Sequence, residues 1–410
     1  MKGTSAAGRF LSRPRVGAGV QDAGWSRREV RKALQAARAE DFSFSGHEAR
    51  RLRQPASKGA ILGSMCTAPH EAAAEANALF LETNLGDPGH FPGTARLEQE
   101  VLQDLRQLLH APKQAAGRYL TGGTEANLLA CWLAREKTGR RTIVLPESGH
   151  FSFEKAARIL GMRLVQVPTL PSGHADAAAM AAAVRKDTAL MVGIAGTTEL
   201  GLVDDIPALA EAAQRRGIPL HVDAAYGGYV LPFLADASRT AKPFDFRVAG
   251  VWSIAMDPHK MGMATIPGGA LVLRDGADWA LTAVESPYVS TDTQSTLMGT
   301  RPGAAVAAAW AVHRHLGRDG FASVVETCLD NAAYLAAQLQ AMGIELAANP
   351  ETTVVTFRAD APDELARQLA AKGFRVNVVP RLGAVRIVVN PHVTRDLLDR
   401  FLQALREVGA

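Results

Sequence analysis

The sequence predicts an α/β fold, with a mostly parallel sheet covered by helices on both faces and a smaller C-terminal α+β unit. Short apolar runs rich in β-branched residues alternate with Ala-rich helical segments through the middle of the chain. This alternation is typical of parallel sheets. The C-terminal part has a shorter order of strand, helix, strand, strand and helix. A length of 410 residues is enough for about two or three packed units.

Composition excludes several classes of protein. Apolar residues make up 47% and charged residues 21%, as in globular proteins, and the net charge is only +4. No dense Lys/Arg stripe with interleaved aromatic residues is present, so nucleic acid is not an expected partner. No apolar run is long enough for a membrane span. Cys66, Cys131 and Cys328 form no CxxC pair, so we expect no metal site and no disulfide framework, and a reduced, cytoplasmic setting fits.

The N-terminal stretch from Met1 to about Gly24 is rich in Arg, Gly, Ala and Ser and lacks the apolar core of a signal peptide. It has some features of an organelle transit peptide, and the alternative is an unstructured leader. Helical spacing predicts a short amphipathic helix over Ser26–Ala39. We therefore expect a leader and helix over 1–45, a large domain over 46–315 and a small C-terminal domain over 316–410.

In the large domain, Gly and Pro residues predict a series of turns over Asn84–Thr94. Apolar residues at three- and four-residue steps from Leu97 to Leu108 then predict a helix. Helices are also predicted over Asp176–Arg185 and Pro207–Arg216. The predicted strands are Thr142–Leu145, Leu164–Val167, Leu190–Ile194, Leu220–Asp223, Val251–Ala255 and Ala270–Leu273.

Two helices, Gly303–Leu316 and Phe321–Met342, are predicted to carry the chain into the C-terminal unit. The elements predicted there are strand Thr353–Phe357, helix Pro362–Ala371, strand Arg375–Val378, strand Val385–Val389 and helix Thr394–Val408.

Ligands of parallel sheets bind at the carboxyl ends of the strands, so residues just after the predicted strands are candidates for chemistry. Lys260 follows one such strand, in the segment Asp257-Pro258-His259-Lys260. A lysine there can form a Schiff base with an aldehyde if desolvation or a nearby positive charge helps it lose its proton. Alone, a lysine in a loop is usually a solvated surface charge, and only its context favours a chemical role.

Asp223 ends another apolar strand, and a buried carboxylate needs a partner there. A protonated ring nitrogen is one such partner; a helix cap or a core salt bridge is the alternative. The small Ala225, on the same face of the strand, would let a flat ring lie against the backbone.

Three further segments lie just after a predicted strand or at the start of a predicted helix. Thr121–Asn127 (TGGTEAN) starts a helix, where free N–H groups and the Thr124 hydroxyl could bind a phosphate; it lacks the ending of a Walker loop. His150 follows a strand and could stack on a ring or be an ordinary loop histidine. Gly193–Glu199 also follows a strand and could hydrogen-bond a ring oxygen.

Together these motifs resemble the group II pyridoxal-phosphate decarboxylases of fold type I, most closely the branch of the archaeal tyrosine/aspartate decarboxylases. The similarity runs from about Gly63 to the C-terminus. The matching motifs are GGTEAN, HFSFEKA, GTTELG, HVDAAYGG, DPHKMG, GSMC (Gly63–Cys66), FLETNLGDPGHFPGT (Phe80–Thr94), LMGTRPG (Leu297–Gly303) and VRIVVNPH (Val385–His392). The resemblance implies a seven-stranded sheet, pyridoxal 5′-phosphate as cofactor and a homodimer.

The resemblance also implies roles for individual residues. Lys260 would hold the cofactor's aldehyde, Asp223 its pyridine nitrogen, and Ala225 and His150 the two faces of its ring. Phosphate contacts are implied for Gly123, Thr124 and His259, and from the second subunit for Gly299 and Thr300; Thr198 would lie near the ring oxygen. Many relatives carry Asn at the position of Asp257.

On the substrate side, the resemblance implies that Arg386 grips the α-carboxylate. Tyr288, in the segment Ser286–Ser295, is the candidate for returning a proton to Cα, with His150 acting through water as the alternative. Asn84 and His90 are expected at the lip of the pocket, where His90 could bind a carboxylate or a phenol.

The implied reaction is decarboxylation of L-aspartate to β-alanine or of L-tyrosine to tyramine, and few aromatic residues (6%) favour aspartate. Three alternatives stay open from the sequence. They are a carbon–carbon lyase resembling sphingosine-phosphate lyase, a catalytically silent cofactor-binding protein and an aminotransferase.

Overall fold

The computed structural model describes residues 25–44, 59–234 and 242–409. The expected leader from Met1 to Gly24 lies outside these residues. The helix predicted after it is present as α1 and begins with a capping box, in which Ser26 Oγ accepts the backbone N–H of Glu29 and the Glu29 carboxylate accepts the N–H of Ser26. No residue of α1 is buried.

The helices are α1 (Arg27–Ala39), α2 (Glu71–Leu79), α3 (Pro92–Leu108), α4 (Gly123–Thr138), α5 (Ser152–Leu160), α6 (Ala177–Ala183), α7 (Ile206–Arg215), α8 (Gly303–Ala341), α9 (Pro362–Ala371) and α10 (Arg395–Glu407). The helix α3 begins inside the stretch predicted as turns, because a proline fits the first turn of a helix.

The strands are β1 (Ala60–Ile61), β2 (Ala116–Leu120), β3 (Thr142–Pro146), β4 (Arg163–Val167), β5 (Thr188–Ile194), β6 (Leu220–Asp223), β7 (Val251–Met256), β8 (Gly269–Leu273), β9 (Val284–Glu285), β10 (Thr293–Gln294), β11 (Val354–Arg358), β12 (Phe374–Arg375), β13 (Asn377–Val379) and β14 (Ala384–Val388). Seven of them form the large sheet in the order β2-β8-β7-β6-β5-β3-β4. Only β8 runs antiparallel to its neighbours, so the predicted, mostly parallel seven-stranded sheet is confirmed.

The sequence analysis missed β2, which lies at one edge of the large sheet. Its residues include Gly117 and no β-branched side chain, so the local preference for a strand is weak. Pairing with β8 along its whole length and burial of Tyr119 and Leu120 compensate for that preference. The strand is therefore stabilised by tertiary contacts rather than by its own sequence.

Helix α8 connects two hydrophobic cores. Residues of its first half, such as Val306 and Val312, pack in the core of the large sheet. Leu335 and Leu339 of its second half pack with the C-terminal unit. The two helices predicted here form this single element, which is kinked at Gly317, where φ is 57° and ψ is −170°.

The C-terminal unit contains the antiparallel sheet β11-β14-β13 and the short parallel pair of β1 and β12. Ala60 and Leu62 pack in its core, so this part of the chain lies with the C-terminal unit rather than with the large domain to which the expected division at residue 46 assigns it. In the described ranges, no helix has the length and apolar composition needed to cross a bilayer.

Candidate active site

The segments predicted to carry the chemistry meet in one cavity of about 340 Å³. They follow β3, β5, β6 and β7 or begin α4, because the carboxyl ends of these strands meet at one edge of the sheet. The predicted residues that line the cavity are Gly123, Thr124, His150, Thr198, Asp223, Ala225, His259 and Lys260.

Lys260 is mostly buried, with 18% of its side chain exposed, and its Nζ lies 3.1 Å from Oδ2 of Asp257. Burial lowers the pKa of the lysine, but the carboxylates of Asp257 and Asp223 outweigh burial, so the pKa is raised overall. The sequence analysis named desolvation or a positive neighbour as the condition for releasing the proton. The structure instead places a carboxylate beside the amine, which holds it as an ammonium ion.

Asp223 is 6% exposed and accepts two hydrogen bonds from neutral groups. Its Oδ1 accepts the backbone N–H of Ala225 at 3.1 Å, and its Oδ2 accepts Nδ2 of Asn127 at 2.9 Å. Within the described part of the chain, no cationic side chain lies within 4.0 Å of this carboxylate. The alternative of a core salt bridge therefore does not hold, and the negative charge is available to a bound cation.

Further polar side chains lie behind Asp223, and the sequence analysis assigned them no role. Asn127 also donates to Ser152 Oγ at 2.9 Å, and its Oδ1 lies 3.0 Å from His221 Nε2. His221 Nδ1 in turn lies 2.8 Å from Ser253 Oγ. Asn127 and His221 stand inside the motifs GGTEAN and HVDAAYGG, and this was the only sequence signal for them.

The turn before α4 brings backbone close to the cavity. Gly122 has φ of 139°, and a Cβ there would meet His259 Cε1 at 3.1 Å. A Cβ on Gly123 would lie 3.0 Å from Asp257 Oδ2 and 3.1 Å from the Ala225 Cβ. No side chain caps the start of α4. Its first N–H groups can therefore bind an anion, with the exposed Thr124 beside them.

His150 lines the same cavity and lies in the segment between β3 and α5. Its Nδ1 accepts the backbone N–H of Ser152 at 3.2 Å, and its ring contacts Phe151 with a centroid distance of 4.0 Å. Burial lowers the pKa of His150, although the Asp223 carboxylate opposes that shift. A neutral imidazole can stack on a flat ring.

Arg386 is 7% exposed and lies in β14, next to the cavity rather than in its lining. Its Nη1 donates to the carbonyl of Thr198 at 2.6 Å and its Nη2 to the carbonyl of Gly63 at 2.7 Å. Its Nε is buried and has no hydrogen-bond partner among the described residues. Burial lowers the pKa of this guanidinium, so an anion there would gain a desolvated positive partner.

Besides Arg386, five predicted residues lie outside the cavity lining of this single chain. The Tyr288 side chain is 90% exposed, and Gly299 and Thr300 are exposed. His90 pairs with Asp87 at 3.1 Å on the surface. Asn84 holds its own loop, because its Oδ1 accepts the N–H groups of Gly86 and Arg301. The expected lip of the pocket is therefore not formed by Asn84 and His90 within one subunit.

The residues that line the cavity fit pyridoxal phosphate. The glycine turn at the start of α4 suits a phosphate, Asp223 suits a protonated ring nitrogen, and Lys260 suits an aldehyde. Two polar atoms in the cavity wall, Ser148 Oγ and Asp257 Oδ1, are buried without a hydrogen-bond partner in the described chain. Buried polar atoms normally have partners, so both support a polar ligand in this cavity.

Comparison with known proteins agrees with this fit. The family profile of the pyridoxal-dependent decarboxylase conserved domain matches residues 72–360, which is more than half of the chain. A probable L-tyrosine/L-aspartate decarboxylase from Methanosphaerula palustris is 44% identical over 344 residues, covering 83% of this chain and 91% of the relative. An L-aspartate/L-glutamate decarboxylase from Pyrococcus horikoshii is 42% identical over 357 residues, covering 86% and 92%.

Among solved structures, a sphingosine-1-phosphate lyase from Burkholderia pseudomallei is similar with a TM-score of 0.84 and 28% sequence identity, covering 96% of this chain and 93% of the lyase. The match over nearly the whole length agrees with fold type I. The family profile and the two relatives are all decarboxylases. The chain therefore belongs to the pyridoxal-dependent decarboxylase family, and it is a pyridoxal-phosphate-dependent amino-acid decarboxylase.

Proposed function

We propose that this enzyme removes the α-carboxylate of L-aspartate and produces β-alanine, with L-tyrosine as the second candidate substrate. The observation that carries the reaction type is the convergence of Lys260, Asp223 and His150 in one cavity. The preference for aspartate is supported by the relatives, because L-aspartate is the substrate that both of their names share.

Each predicted residue of the cavity lining has a proposed role toward the cofactor. Pyridoxal phosphate, when bound, supplies a ring that accepts the electron pair left by departing carbon dioxide. Lys260 would hold its aldehyde, and Asp223 would keep its ring nitrogen protonated. His150 and Ala225 would pack on opposite faces of the ring. The proposed phosphate contacts within the subunit are Gly123, Thr124 and His259, and the proposed contact to the ring oxygen is Thr198.

Arg386 would bind the substrate's α-carboxylate. Its guanidinium is already fixed by the carbonyls of Thr198 and Gly63, so little side-chain entropy is lost on binding. The partnerless Nε supplies a donor that a carboxylate can use. Holding this carboxylate fixes which bond at Cα faces the ring, and that choice separates decarboxylation from other reactions at Cα.

We infer a homodimer in which each active site is completed by the partner subunit. Tyr288, Leu297 and Met298 are large, exposed side chains close together in sequence, and a run of this kind supports a protein interface. Gly299 and Thr300, which directly follow Met298, would then contact the phosphate site of the partner subunit. Tyr288 would return the proton to Cα, with His150 acting through water as the alternative, and Asn84 and His90 would face the substrate only across such an interface.

Mixed dimers test this sharing. Tyr288→Phe should slow proton return and increase side reactions, while Lys260→Ala should be inactive. If Tyr288 acts across the interface, mixing the two variants restores one native site per mixed dimer. The amine product then forms again without the side products of Tyr288→Phe. If the mixture shows only the Tyr288→Phe product profile, Tyr288 does not act across the interface.

We also propose a cytoplasmic location. All three cysteines are free thiols, and Cys131 and Cys328 are buried, which supports a reducing compartment. Neither nucleic acid nor a membrane is a proposed partner.

The test of the proposed function is carbon dioxide release by the purified, cofactor-loaded protein, with L-aspartate, L-tyrosine and L-glutamate in separate assays. Release from aspartate with formation of β-alanine supports the proposal. Release from tyrosine alone replaces the substrate and keeps the reaction. If no amino acid releases carbon dioxide although the visible absorbance of the lysine-bound cofactor is present, the proposal fails, and carbon–carbon lyase substrates are assayed next.

A further inference from the structure

Four side chains form a continuous line of hydrogen bonds from the interior of the sheet to the cavity. Ser253 in β7 contacts His221 in β6 at 2.8 Å, His221 contacts Asn127 in α4 at 3.0 Å, and Asn127 contacts Asp223 at 2.9 Å. Ser253 and His221 are fully buried, and Asn127 is nearly so. Solvent therefore supplies none of the partners in this line.

The direction of every hydrogen bond follows from its last member. An ionised carboxylate only accepts, so the Nδ2 of Asn127 must face Asp223, and its Oδ1 must face His221. His221 then carries its proton on Nε2, and Nδ1 accepts the hydroxyl hydrogen of Ser253. Burial lowers the pKa of His221 to about 4, which agrees with this neutral form. The second N–H of Asn127 is taken by Ser152 Oγ.

The line stabilises the charge of Asp223 without neutralising it. Its Oδ2 receives the amide of Asn127 and its Oδ1 receives the N–H of Ala225, and both donors are neutral. A buried carboxylate with neutral donors keeps its full attraction for a cation that arrives later. In the proposed function, this cation is the protonated ring nitrogen of the cofactor.

We propose that Asn127 and His221 are positioning residues that hold the Asp223 carboxylate oriented toward the ring nitrogen, and thereby keep that nitrogen protonated. This inference rests on the role proposed for Asp223. His221 acts through Asn127: its N–H fixes the amide so that nitrogen, and not oxygen, faces the carboxylate. Without that N–H, the amide can turn its oxygen toward Asp223, and the carboxylate loses a donor.

The test replaces Asn127 by Leu, which has a similar size and no hydrogen-bonding group. The matched control is Asn331→Leu, because Asn331 is also a buried helical asparagine, but it donates to the Val393 carbonyl in the C-terminal unit. Each protein is loaded with pyridoxal phosphate labelled with ¹⁵N in the ring. The ¹⁵N chemical shift then reports the protonation of the ring nitrogen at each pH, and a titration gives the cofactor's dissociation constant.

We expect the ring nitrogen of the wild type and of Asn331→Leu to stay protonated over the whole pH range in which the proteins are folded. In Asn127→Leu the nitrogen should lose its proton within that range, and the dissociation constant should rise about tenfold, as for loss of one charge-assisted hydrogen bond. His221→Leu should shift the same titration. His221→Gln, whose amide can still donate to Asn127, should restore the wild-type behaviour in part. A merely structural role would change stability and leave the ¹⁵N titration unmoved.

Asp223→Asn separates this inference from the proposed function. If Asp223→Asn deprotonates the ring nitrogen and the variants of Asn127 and His221 do not, the line is not a positioning device and the inference is overturned. If Asp223→Asn also leaves the nitrogen protonated, the proposed role of Asp223 fails first. Should Asn127→Leu not fold, the His221→Leu and His221→Gln pair decides by the same measurement.

Discussion

The Nζ of Lys260 lies 3.1 Å from Oδ2 of Asp257, the residue three positions earlier in the chain. Asp257 is almost completely buried, and its Oδ1 has no hydrogen-bond partner among the described residues. This carboxylate opposes the effect of burial on the lysine and raises its pKa. Only a neutral amine can attack an aldehyde, so we expect Asp257 to slow the covalent binding of the cofactor.

Asp257→Asn should speed the capture of pyridoxal phosphate by the apoprotein. Removing the carboxylate lowers the pKa of Lys260, so the neutral fraction of the amine increases at every pH below that pKa. The capture rate should increase by about tenfold for each unit by which the pKa falls. The rate is measured as the rise of visible absorbance after mixing, at several pH values. Asp245→Asn, which alters another buried carboxylate outside the cavity lining, is the control and should leave the rate unchanged; identical pH profiles for both variants would contradict the role of Asp257.

Gly122→Ala should weaken cofactor binding more than it weakens the fold. The added Cβ lies 3.1 Å from His259 in the cavity wall, at a φ of 139° that favours glycine. Gly139→Ala is the matched control, because Gly139 has φ of 66° but open space around the added Cβ. Both variants should lose about 1–3 kcal/mol of stability from backbone strain. Only Gly122→Ala should bind pyridoxal phosphate less tightly by titration, and equal affinities would show that the turn does not hold the phosphate.

Arg386→Met should act on the substrate, with little effect on the cofactor. Loss of a buried, oriented guanidinium should lower kcat/KM by about a hundredfold, mainly through a higher KM, as for removal of one partner of a buried charged pair. Arg358→Met changes an exposed arginine that pairs with Glu345 and should leave the kinetics unchanged. Steady-state kinetics with the accepted amino acid checks this. A normal KM in Arg386→Met would exclude this residue from carboxylate binding.

The fold should lose stability as the pH falls from about 7 to about 5, because two buried histidines stay neutral. Burial lowers the pKa of His221 and of His392 to about 4. The unfolded chain takes up protons near its ordinary pKa while the folded chain does not, so stability is lost below that value. Each histidine should contribute about 2 kcal/mol to the loss between about pH 7 and about pH 5.

Urea unfolding at both pH values measures this loss. His392 accepts from Thr67 and contacts the carbonyl of Ile61, outside the cavity lining, so His392→Phe can be studied without altering the site. The variant should show about half of the pH dependence that the two histidines produce together. If its free energy of unfolding changes with pH as steeply as that of the wild type, buried neutral His392 is not a cause.

The sequence predicted the central strands well because buried parallel strands are short apolar runs, as in Val251–Met256. It missed β2, whose strand conformation depends on pairing with β8. It also placed Ala60 and Leu62 in the wrong unit, since nothing local indicates that β1 pairs with β12 far along the chain. Local propensity therefore predicted the strands that carry the cavity residues better than the peripheral strands β1 and β2.

For the site, the sequence predicted that Lys260 follows a strand and that Asp223 ends one; the structure has both, and both residues line the cavity. It could not indicate that Asn127 and His221 meet, because they are 94 positions apart and each looks like an ordinary member of a motif. It named desolvation as one condition for a neutral Lys260, but it gave no sign that Asp257 would outweigh the effect of burial. The contact of Asn127 with His221 and the charge of Lys260 depend on which residues are neighbours in space, and the sequence alone does not show these neighbours.

The central claim is that Lys260 carries the cofactor of an amino-acid decarboxylase. Borohydride reduction of the pyridoxal-phosphate-loaded protein, followed by mass spectrometry of its peptides, tests it most directly. We predict one phosphopyridoxyl group per chain, on the peptide that contains Lys260, and loss of carbon dioxide release in proportion to that labelling. A label on another lysine such as Lys155 or Lys242, with Lys260 unmodified and activity retained, would contradict the account.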